Sequence, residues 1–234
     1  MKVALLTAGG MGARMNLDIP KQFIYVDDKP LIIYTLEAFE KHPMIDEIVV
    51  VCLKNYIELM KTYVNEYGIT KVKWIVEGGN TGQESINNGL NKINEIYDEE
   101  TIVLIHDGNR PNVSQEIITD AITTYYECGS AVAAIPCVEA IFKSVNGRES
   151  AESIPRESLF RTQTPHVFGL KKLLWAHEQA KIKKINNTVA TCTLMNELGE
   201  KIYFSKGSDK NLKITTQDDL DIFIAMKNCK KNNH

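Results

Sequence analysis

The chain has 234 residues, 44% of them hydrophobic and 24% charged, and its formal net charge at pH 7 is −3. This length supports one well-buried domain, and the lack of a basic field removes electrostatic support for nucleic-acid binding. The five cysteines form no Cys-x-x-Cys pair, which argues against a zinc site and a disulfide framework. No leader pattern and no run of about 18 apolar residues is present. We therefore expect a cytoplasmic protein with no membrane partner.

Apolar runs of strand length alternate with helical patterns along the first part of the chain. Strands are predicted over 3–6, 48–52, 72–76, 102–105 and 131–135, and helices over 31–40, 56–67, 83–96 and 115–128. Strands that are apolar throughout and separated by helices are typical of a mainly parallel sheet covered on both faces. The pattern therefore predicts a doubly wound α/β fold that forms a single domain over 1–234.

The segment from Pro136 to about Arg161 interrupts this alternation. It consists of short β-like pieces and a turn signal at Asn146-Gly147. An excursion of this size within a compact domain is usually functional, and we predict a projecting β-arm over about 136–161. Regular structure then resumes, with helices predicted over 171–179, 191–198 and 217–227 and a strand over 201–205.

A glycine-rich loop follows the first predicted strand. Gly9, Gly10 and Gly12 allow the backbone to approach phosphate oxygens closely, and Arg14 and Lys21 would neutralise phosphate charge. The spacing matches neither a P-loop nor a dinucleotide fingerprint. An ordinary tight turn would explain the glycines alone, but it would not explain the two cations that follow them.

Asp107 ends the fourth predicted strand, at the edge of the sheet where the glycine loop also lies. Its carboxylate could hold Mg²⁺ against phosphate oxygens, or it could simply cap the following loop. Lys213 could be a third cation or a surface residue, and a single histidine such as His106 is more often packed than ligating. Several cations around one carboxylate, without an activated protein nucleophile, suit direct attack of a substrate phosphate on an α-phosphorus.

Six short segments, spread over nearly the whole chain, carry the most specific signal. They are Ala8-Gly9-Gly10-x-Gly12-x-Arg14-Met15, Pro20-Lys21-Gln22, Gly78-Gly79 with Ser85, His106-Asp107-x-x-Arg110-Pro111, Gln163-Thr164-Pro165 and Asn211-x-Lys213-Ile214-Thr215. Together they resemble the cytidylyltransferase family that includes methylerythritol-phosphate and ribitol-5-phosphate cytidylyltransferases. The resemblance implies a CTP-dependent enzyme on a Rossmann-like fold that uses Mg²⁺ and forms a CDP-alcohol and pyrophosphate.

The resemblance also implies roles for individual residues. Arg14 and Lys21 would stabilise the reacting α-phosphate, Lys213 would contact phosphate at the same centre, and Asp107 would help to bind the metal. The nucleotide would be bound by Ala8, Gly9, Gly10, Gly12, Gly79, Ser85, Gly108 and Arg110. In the family the arm crosses to a second subunit and helps to complete its acceptor site, so a homodimer is expected.

Departures from the family pattern concentrate where the acceptor should bind. The family's Pro-x-x-Asp-Thr-Ile motif is replaced by a segment with Glu139 and Ala140, and its acidic Thr-Asp-Asp or Thr-Asp-Glu motif by Thr188-Val189-Ala190. Gly82 stands where an arginine is usual. A site that has lost such specific hydrogen bonds no longer selects the same acceptor. We predict an alditol phosphate, such as glycerol or ribitol phosphate, activated for a capsule or teichoic-type polymer. The candidate acceptor residues are Glu139, Arg156, Thr188 and Thr191.

Two alternatives stay open at this point. Methylerythritol-phosphate cytidylyltransferase activity is disfavoured by Ala140, Val189 and Ala190, although Arg156 is retained. A catalytically silent, nucleotide-binding regulator is the alternative of another class. It is disfavoured because a sensor has no need of transition-state contacts, whereas the four candidates Arg14, Lys21, Asp107 and Lys213 are all kept.

Overall fold

The computed structural model describes residues 1–10 and 19–231. Its strands are β1 (Lys2–Ala8), β2 (Tyr25–Val26), β3 (Lys29–Pro30), β4 (Glu47–Cys52), β5 (Val72–Glu77), β6 (Ile102–Asp107), β7 (Ala131–Pro136), β8 (Ile141–Lys143), β9 (Glu152–Ile154), β10 (Phe160–Gly169) and β11 (Phe204–Lys206). Seven of them form the central sheet, in the order β11-β7-β10-β6-β1-β4-β5. The remaining strands pair as β2-β3 and β8-β9. The predicted α/β fold with a mainly parallel sheet is confirmed.

Helices cover both faces of the sheet. They are α1 (Leu31–Glu40), α2 (Ile57–Glu66), α3 (Gly82–Ile96), α4 (Gln115–Cys128), α5 (Leu170–Lys183), α6 (Thr191–Glu197) and α7 (Gln217–Lys231). The core beside α1, α2 and α4 takes Ala4 and Leu6 from β1, whereas the core beside α3, α5 and α6 takes Val3 and Leu5. This alternation is the two-residue period of a strand buried on both faces. No helix in the described ranges is long and apolar enough to cross a membrane.

β10 runs antiparallel to both of its neighbours, β6 and β7, in the middle of the sheet. This strand was not predicted from the sequence. Its first half is polar and contains Pro165, and proline normally argues against a central strand. The pairing with β7 shifts in register between Thr162 and His166, so the irregularity falls around the proline.

The predicted arm is a hairpin of β8 and β9 that leaves the sheet after β7 and returns to it through β10. Most of its side chains are exposed. Elsewhere the predicted elements are found with small differences in their limits. The strand predicted over 201–205 is β11 (Phe204–Lys206), and α5 and α7 each end four residues later than predicted.

Gly89 lets α3 pack closely on the sheet. A Cβ at this position would lie 2.4 Å from Cδ1 of Leu5 and 2.8 Å from Cγ2 of Val51. The hydroxyl of Thr81 caps the helix by accepting a hydrogen bond from the Glu84 amide. As a result, the first turn of α3 lies beside the carboxyl ends of β1 and β5.

Candidate active site

Two cavities adjoin at the carboxyl-terminal edge of the sheet, where ligands bind in open α/β folds. The first, of about 570 Å³, is lined by the glycine loop and the start of α3. The second, of about 320 Å³, lies between α3, β10 and α6. Both cavities are lined by Thr7, Gly82, Asp107 and Lys213. We call the first the nucleotide cavity and the second the acceptor cavity, and these four residues the junction.

The nucleotide cavity contains many of the residues predicted to bind nucleotide. Among its lining residues are Ala8, Gly9, Gly10, Lys21, Gly79 and Ser85. Buried Gln22 holds the glycine loop, because its side-chain amide donates hydrogen bonds to the carbonyl oxygens of Ala8 (2.7 Å) and Gly10 (3.1 Å). Gly12 and Arg14 lie outside the described residues.

Gly79 and Ser85 form a compact pair at the wall of the nucleotide cavity. The Ser85 hydroxyl accepts a 3.0 Å hydrogen bond from the Gly79 amide. A Cβ on Gly79 would lie 2.4 Å from Cβ of Glu84, so a larger residue would push the loop away from α3. Gly108 does not line either cavity. It is buried, and a Cβ there would lie 2.9 Å from the carbonyl oxygen of Thr7, so the structure gives it a packing role.

Asp107 pairs with two cations. Its Oδ2 accepts a hydrogen bond from Nε of Arg110 at 2.9 Å, and its Oδ1 accepts one from Nζ of Lys213 at 3.0 Å. Burial by itself would raise the pKa of Asp107, but the charges of Lys213 and Arg110 outweigh it and hold the pKa well below its usual value. The carboxylate is therefore ionised, and it orders Lys213 at the junction and Arg110 beside it. Arg110 lines only the acceptor cavity, although it was predicted to bind nucleotide.

Lys213 reaches the junction because its loop is anchored to the loop after β6. The Ile214 amide donates to the carbonyl oxygen of Asn109 at 2.9 Å, and Nη1 of Arg110 donates to that of Asn211 at the same distance. The buried Asn211 side chain donates in turn to the carbonyl oxygen of Thr164. These contacts hold the Lys213 backbone at the mouth of both cavities.

The Thr164 hydroxyl lies between the backbone of Asp107 and the ring of His106. The Asp107 amide donates to the Thr164 hydroxyl at 3.1 Å, and this hydroxyl lies 2.9 Å from Nδ1 of His106. Burial lowers the pKa of His106 to about 3, so the imidazole is neutral. We infer from this network that Nδ1 accepts the Thr164 hydroxyl proton while Nε2 faces the Arg110 carbonyl. His106 is thus a packed residue.

The acceptor cavity contains two of the four predicted acceptor residues, Thr188 and Thr191. Thr188 is held by Gln83, whose Oε1 accepts hydrogen bonds from the Thr188 amide (2.9 Å) and hydroxyl (3.1 Å). The amide group of the same side chain donates to the carbonyl oxygen of Ile185 at 2.7 Å. Gln83 therefore ties the loop before α6 to α3. This role of Gln83 was not predicted, because nothing in the local sequence pattern joins residues so far apart.

Two polar atoms at the acceptor cavity have no protein hydrogen-bond partner in the part of the chain that the structure describes. They are Nδ1 of His166 and Oγ1 of Thr191. Leaving a buried polar group unpaired costs about 1–3 kcal/mol, so each of these atoms gains from a partner supplied by a ligand. His166 was not predicted, because a single histidine in a strand carries no distinguishing sequence signal.

The other two predicted acceptor residues, Glu139 and Arg156, lie on the arm. Both are exposed, and neither lines a cavity of its own chain. Nη1 of Arg156 donates to the carbonyl oxygen of Val138 at 3.0 Å, so the guanidinium lies along the arm. Within one chain, the structure does not bring these two residues to Thr188 and Thr191.

A third cavity, of about 730 Å³, lies away from these motifs at the other end of the strands. Tyr125, Trp175 and Tyr203 line it together with Lys172. It contains none of the residues predicted to bind or react with substrate.

The chain was compared with known proteins. The family described as IspD, 2-C-methyl-D-erythritol 4-phosphate cytidylyltransferase, matches residues 2–226. A ribitol-5-phosphate cytidylyltransferase of Lacticaseibacillus paracasei is 43% identical over 227 residues, which cover 96% of this chain and 97% of that protein. A 2-C-methyl-D-erythritol 4-phosphate cytidylyltransferase of Clostridium botulinum is 40% identical over 218 residues, covering 92% and 93%.

Solved structures agree on the fold. 4-Diphosphocytidyl-2C-methyl-D-erythritol synthase from Anaerococcus prevotii superposes with a TM-score of 0.82 and 24% sequence identity, covering 97% of this chain and 96% of that one. At this identity the likeness concerns the fold alone. The family match and the two full-length relatives, by contrast, concern the sequence itself. The chain therefore belongs to the IspD family of cytidylyltransferases, a class of nucleotidyltransferases.

Proposed function

We propose that this enzyme transfers the cytidylyl group of CTP to an alditol phosphate, with ribitol 5-phosphate as the preferred acceptor, and releases pyrophosphate. The observation that carries the proposal is the junction, where two cavities meet at Lys213 and the ionised Asp107. A transfer between two substrates requires this arrangement, because the reacting atoms must approach each other while each substrate keeps its own binding surface.

The reaction needs no covalent enzyme intermediate. An oxygen of the acceptor phosphate forms a bond to the α-phosphorus of CTP, and the bond from that phosphorus to the bridging oxygen of the β-phosphate breaks. Negative charge accumulates on the α-phosphate oxygens during this exchange, and Lys21, Lys213 and Arg14 would stabilise it. Ala8, Gly9, Gly10, Gly79 and Ser85 would hold the nucleotide. Catalysis is then positioning and charge stabilisation.

Mg²⁺ fits this site as a cofactor bound jointly by protein and nucleotide. Asp107 supplies an ionised carboxylate at the junction, whereas the described residues contain no cluster of three or more potential metal-ligating side chains. Mg²⁺ is usually bound through one or two carboxylates together with substrate phosphates. When bound, it would neutralise charge on the triphosphate. Asp107 is the residue that would hold it.

The choice of an alditol phosphate rests on the acceptor cavity. Apart from the charged Asp107, Arg110 and Lys213, its polar lining consists of threonine, glutamine and histidine side chains, and Val189 and Ala190 stand where the family carries acids. Neutral hydrogen-bonding groups suit a chain of hydroxyl groups. The relative from Lacticaseibacillus paracasei is named for ribitol 5-phosphate. The product would be an activated alditol phosphate for a capsule or teichoic-type polymer, and the use of CTP fits the expected cytoplasmic location.

We also propose that the arm pairs two copies of the chain. Val138, Phe142 and Val145 expose apolar side chains on the arm, with Val145 fully exposed. Arg156 and Glu139 are exposed there too, away from the cavities of their own chain. If the arm docks beside the acceptor cavity of a second copy, these two residues would complete that site. This arrangement accounts for their position in the single chain.

The test is pyrophosphate release from CTP and Mg²⁺ with a panel of glycerol, ribitol, mannitol and methylerythritol phosphates. Release with ribitol 5-phosphate, at a kcat/KM well above that for methylerythritol phosphate, supports the proposal. Release only with methylerythritol phosphate overturns the acceptor assignment but keeps the chemistry. Tight CTP binding without release for any acceptor would support a regulatory protein instead.

A further inference from the structure

The acceptor cavity has two buried polar atoms that no protein group pairs within the described chain, Nδ1 of His166 and Oγ1 of Thr191. They belong to different walls of the cavity, since His166 is in β10 and Thr191 begins α6. We propose that His166 and Thr191 select the acceptor by hydrogen bonding to hydroxyl groups on its carbon chain. This inference rests on the proposed function and assigns its specificity to two residues.

His166 is buried, with 3% of its surface exposed, and lies opposite Ile105 of β6 in the sheet. Burial lowers its pKa to about 4, so the ring is neutral at physiological pH. A backbone hydrogen bond at Gln163 also acts on this pKa, which leaves the unpaired Nδ1 as the nitrogen for a ligand. Asp107, Arg110 and Lys213 all act on this pKa through their charges, although none of them has a hydrogen bond to the ring. The imidazole therefore lies near the charged junction and can bind a hydroxyl group.

Thr191 differs from its neighbour Thr188 in the way its hydroxyl is used. The Thr188 hydroxyl donates a hydrogen bond to Gln83. Thr191 is buried, with 4% of its surface exposed, and its hydroxyl has no hydrogen-bond partner in the described structure. A hydroxyl can donate one hydrogen bond and accept two. Thr191 can therefore give and receive hydrogen bonds, as a polyol requires of its binding site.

Hydroxyl groups suit both atoms better than other ligand groups do. A phosphate or carboxylate is better placed beside Arg110 and Lys213, which carry the positive charge of this cavity, than against the neutral side chains of His166 and Thr191. An apolar chain would leave both atoms unpaired. A site built to bond a hydroxyl rejects an analogue that lacks it, because its own polar atoms then stay buried without a partner. The unpaired atoms of His166 and Thr191 therefore predict that the enzyme discriminates against deoxy analogues of ribitol 5-phosphate.

The experiment compares substitutions that keep shape with substitutions that keep hydrogen bonding. Thr191→Val removes the hydroxyl at similar volume, and Thr191→Ser retains it. His166→Phe removes the ring nitrogens, and His166→Asn retains a polar group. For each variant, KM and kcat are measured for ribitol 5-phosphate, for its single-deoxy analogues and for CTP. Thermal unfolding monitors the folded state.

We expect Thr191→Val and His166→Phe each to raise the KM for ribitol 5-phosphate by about tenfold, with little change in the KM for CTP. Thr191→Ser and His166→Asn should retain most of the affinity. Each apolar variant should also lose the discrimination against one deoxy analogue, whereas Thr191→Val should unfold at the same or a higher temperature than wild type. A merely structural role would move the unfolding temperature but not this substrate pattern.

Unchanged KM for ribitol 5-phosphate in both apolar variants, with active wild-type enzyme, would overturn the inference and leave the proposed function intact. Failure of the wild-type enzyme to use any alditol phosphate would overturn the proposed function, and the inference with it. The acceptor panel with wild-type enzyme separates these two results before any variant is made.

Discussion

Nζ of Lys213 donates a hydrogen bond of 3.0 Å to Oδ1 of Asp107, across 106 positions of sequence. The two loops that carry these residues are joined by hydrogen bonds from the Ile214 amide to the Asn109 carbonyl and from the Arg110 guanidinium to the Asn211 carbonyl. The ammonium is therefore held in place before substrate arrives. Preorganised charge of this kind stabilises a transition state without further rearrangement. The hydrogen bonds that anchor the Lys213 loop therefore also fix the charge that would stabilise the transition state at the junction.

Lys21→Ala should lower kcat by orders of magnitude and change CTP affinity only slightly, because a contact strengthened in the transition state affects rate more than binding. Steady-state kinetics and equilibrium binding of CTP measure the two effects separately. Lys61→Ala is a matched control, since Lys61 is an exposed lysine of α2 that pairs only with Glu58 among the ion pairs of the described residues. An unchanged kcat in Lys21→Ala would refute the role assigned to this residue.

Thr164→Val should destabilise the protein by about 1–3 kcal/mol, because the Asp107 amide and Nδ1 of His106 would both lose their partner. It should also lower kcat, since Asp107 is no longer held. Denaturant unfolding and steady-state kinetics measure these losses. Thr164→Ser keeps the hydroxyl and is expected to restore both; equal damage in the two variants would contradict the network.

Gln83→Ala should release the loop before α6, since the Gln83 side chain bonds both Thr188 and Ile185. We expect a higher KM for the alditol phosphate with little change in the KM for CTP, because the loop lines the acceptor cavity only. Saturation curves for each substrate at a saturating level of the other provide the measurement. A larger effect on CTP than on the acceptor would show that Gln83 acts elsewhere.

Stability should fall as the pH decreases from about 6.5 towards 4. Burial lowers the pKa of His106 to about 3 and of His166 and His177 to about 4. Over this range the unfolded chain binds protons at these histidines and the folded chain does not, so acid favours unfolding. The slope is about 1.4 kcal/mol per pH unit for each histidine.

Denaturant unfolding at a series of pH values measures this slope. His177→Gln should reduce it, because one of the histidines with a lowered pKa is removed. A free energy of unfolding that stays constant between about pH 6.5 and 5 would contradict the burial of the neutral rings.

Mixed dimers test whether Arg156 acts in the site of a second subunit. Arg156→Ala and Lys213→Met should each be nearly inactive as homodimers. When the two chains are co-expressed, about a quarter of wild-type activity should return, because half of the dimers are mixed and one of their two sites has both residues. No recovery in dimers shown to be mixed would mean that Arg156 does not act across subunits.

Most of the sheet and its helices could be predicted because their apolar residues follow the strand and helix periods. β10 could not, since its polar first half and Pro165 resemble a loop. Its position explains this composition: Thr162, Gln163 and Thr164 line the acceptor cavity, and two of them also hold the loops of the junction. The first half of β10 is polar because its side chains line the acceptor cavity and hold the neighbouring loops.

Site residues divide in the same way. Asp107 and Lys213 were found because their motifs are distinctive, and the structure brings them into contact. Gln83 was missed because its importance depends on hydrogen-bond partners far away in the sequence. His166 was missed because its importance depends on an unpaired ring nitrogen, which only the structure shows. Arg156 was identified by its motif, yet its place relative to the cavities depends on how the arm projects.

The central position of β10 also constrains the order of folding. β6 and β7 flank it in the sheet, yet both precede it in the chain by more than twenty residues. A nascent chain that ends before Phe160 would carry β6 and β7 with a row of unpaired backbone groups between them, and exposed edges of this kind promote aggregation. The core between these strands can therefore close only after the hairpin has turned the chain back, so completion of the sheet awaits a late, long-range pairing.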